Sequence, residues 1–308
     1  MINFASIGRV AVNCVSLAIG LSALTMTTTF AASTAEAAQT REIAGKRIAI
    51  ARRQAALAED MAKNLCYLRA NVVSAANPAD LYVTWNVFNW YHIGFLNGNE
   101  QLQLLPERNL DVVLLWQSVD KNWQGMEPYI SRSIDGSSLS AQDFLRVMAL
   151  VDRTVERTNQ LSAKLQTVYA DDLAEGNAFA AFHIGLFKRA EALGERLSKQ
   201  ICLSTLSDGT GPRDSSIGET FGFFETSLSG FTDGLPMLNV PAAPTPEIRQ
   251  RLETSQSAWN EVKALAELSA TGRSLSSEEF KQFSVGMDEA LFNLSISVDL
   301  LIKHYAEQ

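Results

Sequence analysis

Apolar residues recur every three or four positions along most of the chain, which is the period of an α-helix. One stripe has spacings of 4, 3, 4, 3 and 4, at Ile217, Phe221, Phe224, Leu228, Phe231 and Leu235. The last segment has a second stripe with the same kind of spacing, at Phe280, Phe283, Met287, Leu291, Leu294, Val298, Leu301 and Tyr305. No stretch alternates strongly enough to predict a strand. The pattern therefore predicts an all-α protein.

The predicted helices carry recognisable ends. Asp233-Gly234 closes the first stripe as a helix stop, and Ser276 with Glu279 three residues later is a capping-box pattern. Thr245 followed by Pro246 predicts a helix start, because proline is favoured at the first helical position. The buried face of that helix is predicted to carry Leu252, Trp259 and Val262, and the equivalent face of an earlier helix Trp116, Val119, Trp123 and Met126.

The chain also repeats itself at an offset of 136 residues without a gap. Identical pairs run from the first predicted helix to the last, and they include Arg53 with Arg189, Glu59 with Glu195, Lys63 with Lys199, Cys66 with Cys202, Gly98 with Gly234, Trp123 with Trp259, Gly136 with Gly272, Asp152 with Asp288 and Tyr169 with Tyr305. We interpret this as a tandem duplication of a domain-sized unit. The predicted fold is two tandem antiparallel four-helix bundles, residues 38–175 and 176–308, packed as a pseudo-dimer.

The first residues read as a targeting segment. Arg9 precedes the apolar run Val10 to Met26, and Ala35-Glu36-Ala37 has the spacing of a signal peptidase site. Residues 1–37 are therefore predicted to be a cleaved signal peptide rather than an uncleaved anchor, and the mature protein is expected in the periplasm. The join between the copies is expected near Glu175-Gly176-Asn177, where the last helix of copy one runs nearly straight into copy two.

Charge and motifs narrow the function. The chain has 308 residues and a net charge of −8, which disfavours a nucleic-acid partner. It offers no nucleophile elbow, phosphate loop, metal-spaced ligand set or haem-attachment motif, so no enzyme activity, metal or cofactor is expected. Glu59 and Glu195 could act as a carboxylate pair, although salt bridges explain them as well.

The first helix followed by F-x5-GF-x2-G and a lone tryptophan resembles the N-terminal sensory domain of type IV pilus methyl-accepting chemotaxis transducers (PilJ-like), which is related to the periplasmic bundle of nitrate/nitrite sensor kinases. The family's first helix typically reads AGRQRMLSQRMAKxxC. The matching positions are Arg53-Gln54, Leu57 and Met61-Ala62-Lys63 in copy one, and Arg189, Leu193, Arg196, Lys199 and Cys202 in copy two. Where the family usually has a second arginine, this chain has Ala55 and Glu191.

The resemblance implies a ligand site between the first helices. In the nitrate-sensing relatives, arginines from two subunits meet across the dimer axis and hold the anion, so the matching ligand-binding residues here are Arg53, Gln54, Arg189 and Arg196. Arginine suits the task because its planar fork binds a carboxylate or oxyanion bidentately. The alternative is that Arg53 and Arg189 are ordinary surface residues.

Two further residue types leave alternatives open. Small residues recur at every fourth position, at Ala58 and Ala62 in one helix and at Gly194 and Ser198 in the other. Two such ridges could pack closely enough to bring Cys66 and Cys202 within disulfide distance. The alternative is that each cysteine is a small core residue. His92 falls on an apolar stripe, where a satisfied buried histidine is favoured over a ligand.

These observations favour a periplasmic sensor-type protein that binds a small anionic ligand and signals through a separate membrane partner. The rival is a non-enzymatic structural or adaptor protein of the envelope, which binds another protein and no small molecule. Fold resemblance does not choose between them.

Overall fold

The computed structural model describes residues 25–72, 77–170, 175–206, 216–236 and 241–306, and within these ranges it contains eight helices and no strand. The helices are α1 (Thr25–Arg69), α2 (Pro78–Asn97), α3 (Leu110–Ile134), α4 (Ala141–Val168), α5 (Glu175–Leu206), α6 (Ser216–Asp233), α7 (Pro246–Ala270) and α8 (Ser277–Ala306). The predicted all-α class is confirmed for these residues.

The chain divides into two compact units, Met1–Gln39 and Thr40–Gln308. The first contains the beginning of α1; residues 1–24, most of the predicted signal peptide, lie outside the described residues. The second contains the rest of α1 and all of the other helices. None of the helices in the described ranges combines the length and apolar character that a membrane crossing needs. Residues 171–174, in the predicted join between the copies, are also outside the described residues.

The predicted apolar stripes are buried. On α6, Ile217, Phe224, Leu228 and Phe231 are buried, and on α8 the seam is buried from Phe280 to Leu301. α5 packs against α6 and α8, α6 against α7, and α7 against α8. The buried apolar cluster between these four helices continues into α1, α2, α3 and α4. In the preceding part of the chain α2 packs against α3 and α3 against α4. The predicted tryptophans Trp116, Trp123 and Trp259 lie in the core.

The helix ends follow the predicted chemistry. The Thr245 side chain accepts a hydrogen bond from the Ile248 N–H (3.2 Å) at the start of α7. Ser276 Oγ accepts from the Glu279 N–H (3.3 Å) while Glu279 accepts from the Ser276 N–H (2.9 Å), a reciprocal capping box. Both predicted helix starts are therefore confirmed, as is the end of α6 at Asp233.

Helix α1 joins the rest of the fold through polar contacts along its length. The Gln54 side chain donates to the carbonyl of Phe88 on α2 (3.0 Å), and Arg52 Nε donates to Ser162 Oγ on α4 (3.2 Å). Near its C-terminal end, Cys66 is bonded to Cys202 of α5, with Cα atoms 6.2 Å apart, within the usual range for a disulfide. This is the paired alternative of the two that the sequence left open.

Two ion-pair clusters, each centred on a buried lysine, flank this disulfide in a reciprocal arrangement. Lys63 of α1 lies 2.9 Å from Glu195 of α5 and 2.9 Å from Asp288 of α8. Lys199 of α5 lies 2.6 Å from Glu59 of α1 and 2.6 Å from Asp152 of α4. Each lysine pairs with carboxylates from the opposite half of the chain, and the two sets are related by the 136-residue offset.

Burial sets the electrostatics of these clusters. Burial alone would lower the pKa of Lys63, but the carboxylates of Glu195, Asp60 and Asp288 outweigh it and raise that pKa well above its ordinary value. Burial raises the pKa of Glu59 and Glu195, although the lysines oppose the shift. Because each ion is stable only next to its partner, the clusters fix how α1 crosses α5.

We expect Lys199→Met to lower the free energy of unfolding by about 3–5 kcal/mol, because it leaves the buried Glu59 carboxylate without its closest cation. The double variant Lys199→Met/Glu59→Met should regain most of this loss, since neither charge then remains buried. Urea unfolding followed by circular dichroism measures both effects. The matched control is Lys263→Met, which breaks the surface pair with Glu225 and should cost less than about 1 kcal/mol. A Lys199→Met cost no larger than the control would contradict a structural role for the buried pair.

Candidate functional site

A cleft of about 480 Å³ opens where α1, α4 and α5 meet. Its α1 wall carries Arg52, Ala55 and Glu59. Its other walls consist of Val155, Asn159, Ser162, Ala163 and Gln166 from α4, and Phe182, Gly185, Leu186, Lys188, Arg189, Ala192, Leu193 and Arg196 from α5. The cleft runs from the outer end of α5 toward the buried Lys199–Glu59 pair.

Positive charge dominates this cleft although the protein as a whole is acidic. Four basic side chains line it, Arg52, Lys188, Arg189 and Arg196, against the single carboxylate of Glu59. That carboxylate is already held by Lys199 at 2.6 Å, and Lys188 lies 2.7 Å from Glu191. The lining of the cleft therefore holds more basic than acidic side chains, in a protein of net charge −8, which makes the cleft attractive to an anion.

Gly185 of α5 leaves the space that the guanidinium of Arg52 occupies. A Cβ atom on Gly185 would lie 1.1 Å from Arg52 Nη1, so any other residue there would take the space of that group. Ser162 accepts a hydrogen bond from Arg52 Nε and so orients the fork. The pKa of Arg52 is lowered, first by burial and second by the nearby charge of Arg189. The two like charges repel, and a bound anion would relieve that repulsion.

The α5 wall alternates basic and apolar side chains. Phe182, Arg189 and Arg196 are seven residues apart and share one helix face, with Leu186 and Leu193 between them. Within the described residues, Arg196 Nε is buried without a hydrogen-bond partner. An acceptor entering the cleft at this level would satisfy that donor.

Two of the four predicted ligand-binding residues, Arg189 and Arg196, line the cleft, whereas Arg53 and Gln54 lie elsewhere. Arg53 lies 3.6 Å from Asp299 of α8, and its guanidinium covers the ring of Tyr91 at 5.6 Å. Gln54 is fully buried and donates to the backbone of α2. The resemblance implied that Arg53 and Arg189 would share one cleft. In the structure they do not.

The reason is geometric. Successive residues of a helix point about 100° apart, so Arg52 faces α4 and α5 while its neighbour Arg53 faces α2 and α8. Arg53 is the 136-residue counterpart of Arg189, but it does not line the cleft that contains Arg189. Arg52 was not among the residues predicted from the sequence. The one signal for it was that Lys188, also basic, lies 136 residues further along the chain.

The residues found 136 positions away from those of the cleft carry different charges. The counterpart of Arg196 is Asp60, which lies 3.2 Å from Lys63, and the counterpart of Ala163 is Asp299, which pairs with Arg53. Arg53 and Lys63 are thus each next to a carboxylate.

Two histidines, His92 and His183, are buried in the core. His92 is buried and its Nε2 lies 2.8 Å from Asp120, and its pKa is lowered, chiefly by burial. His92 is therefore a buried core histidine, although within the described residues its Nδ1 has no hydrogen-bond partner. His183 is also buried, with Nδ1 2.7 Å from the Tyr305 hydroxyl, and burial lowers its pKa to about 4.

No metal site competes with this interpretation in the described ranges, where no group of three or more His, Cys, Asp or Glu side chains is arranged to hold a metal ion. The Glu59 and Glu195 carboxylates each lie next to a lysine, Glu59 at Lys199 and Glu195 at Lys63, and do not face each other as a pair. Compared with known proteins, the chain matches no family model and no curated protein.

The pKa of His183 gives a pH prediction. Because the folded pKa, about 4, lies below the ordinary value of 6.5, the unfolded chain binds more protons between these two values. The contribution of His183 to stability is therefore complete above pH 6.5 and falls as the pH decreases toward 4. Urea unfolding at pH 7 and pH 4.5 should show a smaller loss for His183→Gln than for the unchanged protein. An equal loss in both would show that His183 does not titrate in this way.

Proposed function

We propose that the protein is an exported sensor-type binding protein that takes up a small anion in the cleft between α1, α4 and α5, and that it signals through a separate membrane partner. The observation that carries the proposal is the convergence of Arg52, Arg189 and Arg196 on one cleft with a single, already paired carboxylate. The resemblance of the first helix to chemotaxis-transducer sensory domains supports the same class of function.

We also propose that the chain is a tandem duplication of two four-helix bundles in a pseudo-dimer. Helices α3 and α7 begin at Leu110 and Pro246, and α4 and α8 at Ala141 and Ser277, both pairs at the offset of 136 residues. The reciprocal lysine–carboxylate clusters have the contact pattern of an isologous interface, in which residue i contacts j and j contacts i. The two clefts then differ in charge because the copies have diverged, so one ligand per chain is expected.

A ligand in the cleft would act on the relative placement of three helices. Its anionic group would draw Arg52 of α1 toward Arg189 of α5, while α4 supplies Ser162 and the amides of Asn159 and Gln166. A small helix displacement of this kind is a common route by which binding reaches a distant surface. The displacement would pass to a partner protein.

A second candidate, the envelope adaptor, is favoured by the outer surface of α2. From Leu81 to Asn99 the chain has no charged residue, and Tyr82, Val83, Trp90 and Ile93 are exposed. The corresponding α6 residues are Gly218, Glu219, Thr226 and Ser229, so the apolar surface belongs to one side only. Its occupant would be an equally apolar, uncharged surface of a partner protein. Trp90→Ser/Ile93→Ser should abolish capture of that partner in membranes from the source cells while leaving the fold unchanged.

We expect one or more anions from a panel of nitrate, sulfate, phosphate, acetate, benzoate and amino acids to raise the melting temperature. A ligand at a hundredfold excess over its Kd stabilises the folded state by about 2.7 kcal/mol. Arg189→Gln should weaken binding roughly tenfold or more, because it removes a charge-assisted contact. The matched control is Arg53→Gln, the equivalent residue outside the cleft, which should bind as the unchanged protein does.

Calorimetry should give one anion per chain. Equal losses in Arg189→Gln and Arg53→Gln, or two sites per chain, would contradict a single cleft on one side of the molecule. No response to any member of the panel would contradict the sensor proposal and favour the adaptor.

Gly185→Ala tests the placement of Arg52 separately. The added Cβ would displace the flexible end of the Arg52 side chain, so anion binding should fall several-fold. The melting temperature should stay the same or rise, since alanine is favoured over glycine within a helix by about 0.5–1 kcal/mol. The matched control is Gly222→Ala of α6, where a Cβ would meet nothing within 4 Å and binding should not change. Full binding by Gly185→Ala would show that Arg52 takes no part.

A further inference from the structure

We infer that the anion is an organic carboxylate with an aromatic or aliphatic body, and not a small inorganic oxyanion such as nitrate. This inference rests on the proposed function, because it names the class of ligand for the same cleft. It goes beyond that function because charge alone would admit nitrate, sulfate or phosphate equally well. The remaining features of the cleft discriminate among them.

Size is the first feature. The cleft holds about 480 Å³, which falls in the range of roughly 300–1,000 Å³ found for pockets that bind organic ligands. A three- or four-oxygen inorganic ion would contact the arginines and leave most of this volume to water. An organic body would fill the space that the arginine forks do not reach.

The apolar lining is the second feature. Val155, Leu186 and Leu193 border the cleft beside the arginines, and Phe182 stands at its outer end with 42% of its surface exposed. Exposed apolar surface gains free energy when a ligand covers it, in proportion to the area removed from water. An inorganic oxyanion is fully hydrated and offers no surface of this kind.

The order of the side chains along α5 is the third feature. Arg189 lies between Leu186 and Leu193, so any group bound at Arg189 has apolar side chains within one helical turn on either side. Opposite, Ser162 and Asn159 of α4 supply neutral polar groups. A carboxylate bound by Arg52 and Arg189 would therefore place its apolar body against leucine and phenylalanine, which is the usual lining of a small-molecule site.

The test is isothermal titration calorimetry of the folded chain with acetate, benzoate, 2-naphthoate and nitrate, and with benzamide as the uncharged analogue of benzoate. Affinity should rise from acetate to benzoate to 2-naphthoate, and benzoate should bind at least about tenfold more tightly than nitrate, equivalent to roughly 1.4 kcal/mol. Benzamide should bind much more weakly than benzoate. Arg189→Gln should weaken the binding of all the carboxylates.

Phe182→Ala gives a second, independent measurement. It should weaken 2-naphthoate severalfold and leave acetate unchanged, and the exposed position of Phe182 means that the fold does not depend on it. The matched control is Phe223→Ala on α6, which is also half exposed but lies outside the cleft and should change neither affinity.

The outcomes separate the two claims. Nitrate binding as tightly as benzoate, or equal affinities across the carboxylate series, would overturn this inference and leave the anion cleft standing. Benzamide binding as tightly as benzoate, no binding by any anion, or binding unaffected by Arg189→Gln would overturn the proposed anion cleft itself, and the inference with it.

Discussion

The crossing of α1 and α5 is the constraint on which the rest of this structure depends. At this crossing Cys66 is bonded to Cys202, and Lys63 and Lys199 each reach across to a carboxylate of the other helix. Buried ions of this kind add little net stability, because their desolvation offsets their attraction, but a misplaced partner is very costly. The pairs therefore select one register between the helices, and the disulfide holds it. The cleft exists because that register brings Arg52 beside Gly185 and Arg189.

Differences between residues 136 positions apart set the charge of the cleft apart from that around Arg53. The residues that build the crossing are identical at the 136-residue offset: Glu59 and Glu195, Lys63 and Lys199, Cys66 and Cys202, and Asp152 and Asp288. The residues around the clefts are not, since Arg196 corresponds to Asp60 and Ala163 to Asp299. Identical pairing residues are thus surrounded by residues of different charge. The exposed Tyr82, Val83, Trp90 and Ile93 of α2 likewise correspond to Gly218, Glu219, Thr226 and Ser229 of α6.

Much of the fold follows from the sequence because its signals are local. The apolar stripe of α8, the capping box at Ser276 and the Thr245-Pro246 start each depend on a few residues, and the structure contains all three. The candidate site is harder to predict because it depends on which faces of three separate helices meet. Arg189 and Arg196 were accessible through the repeated first helix. Arg52 was not, since its role depends on the space at Gly185 and on Ser162, 110 residues further along the chain.

The most direct test of the single cleft is a crystal structure of the protein grown with 4-iodobenzoate, with the iodine located by its anomalous scattering. We expect one iodine peak per chain between α4 and α5, with the carboxylate at Arg52 and Arg189 and the ring against Leu186 or Phe182. An iodobenzoate bound instead beside Arg53 and Asp299, or two iodobenzoates per chain, would contradict the claim that the anion binds in the cleft between α1, α4 and α5 alone.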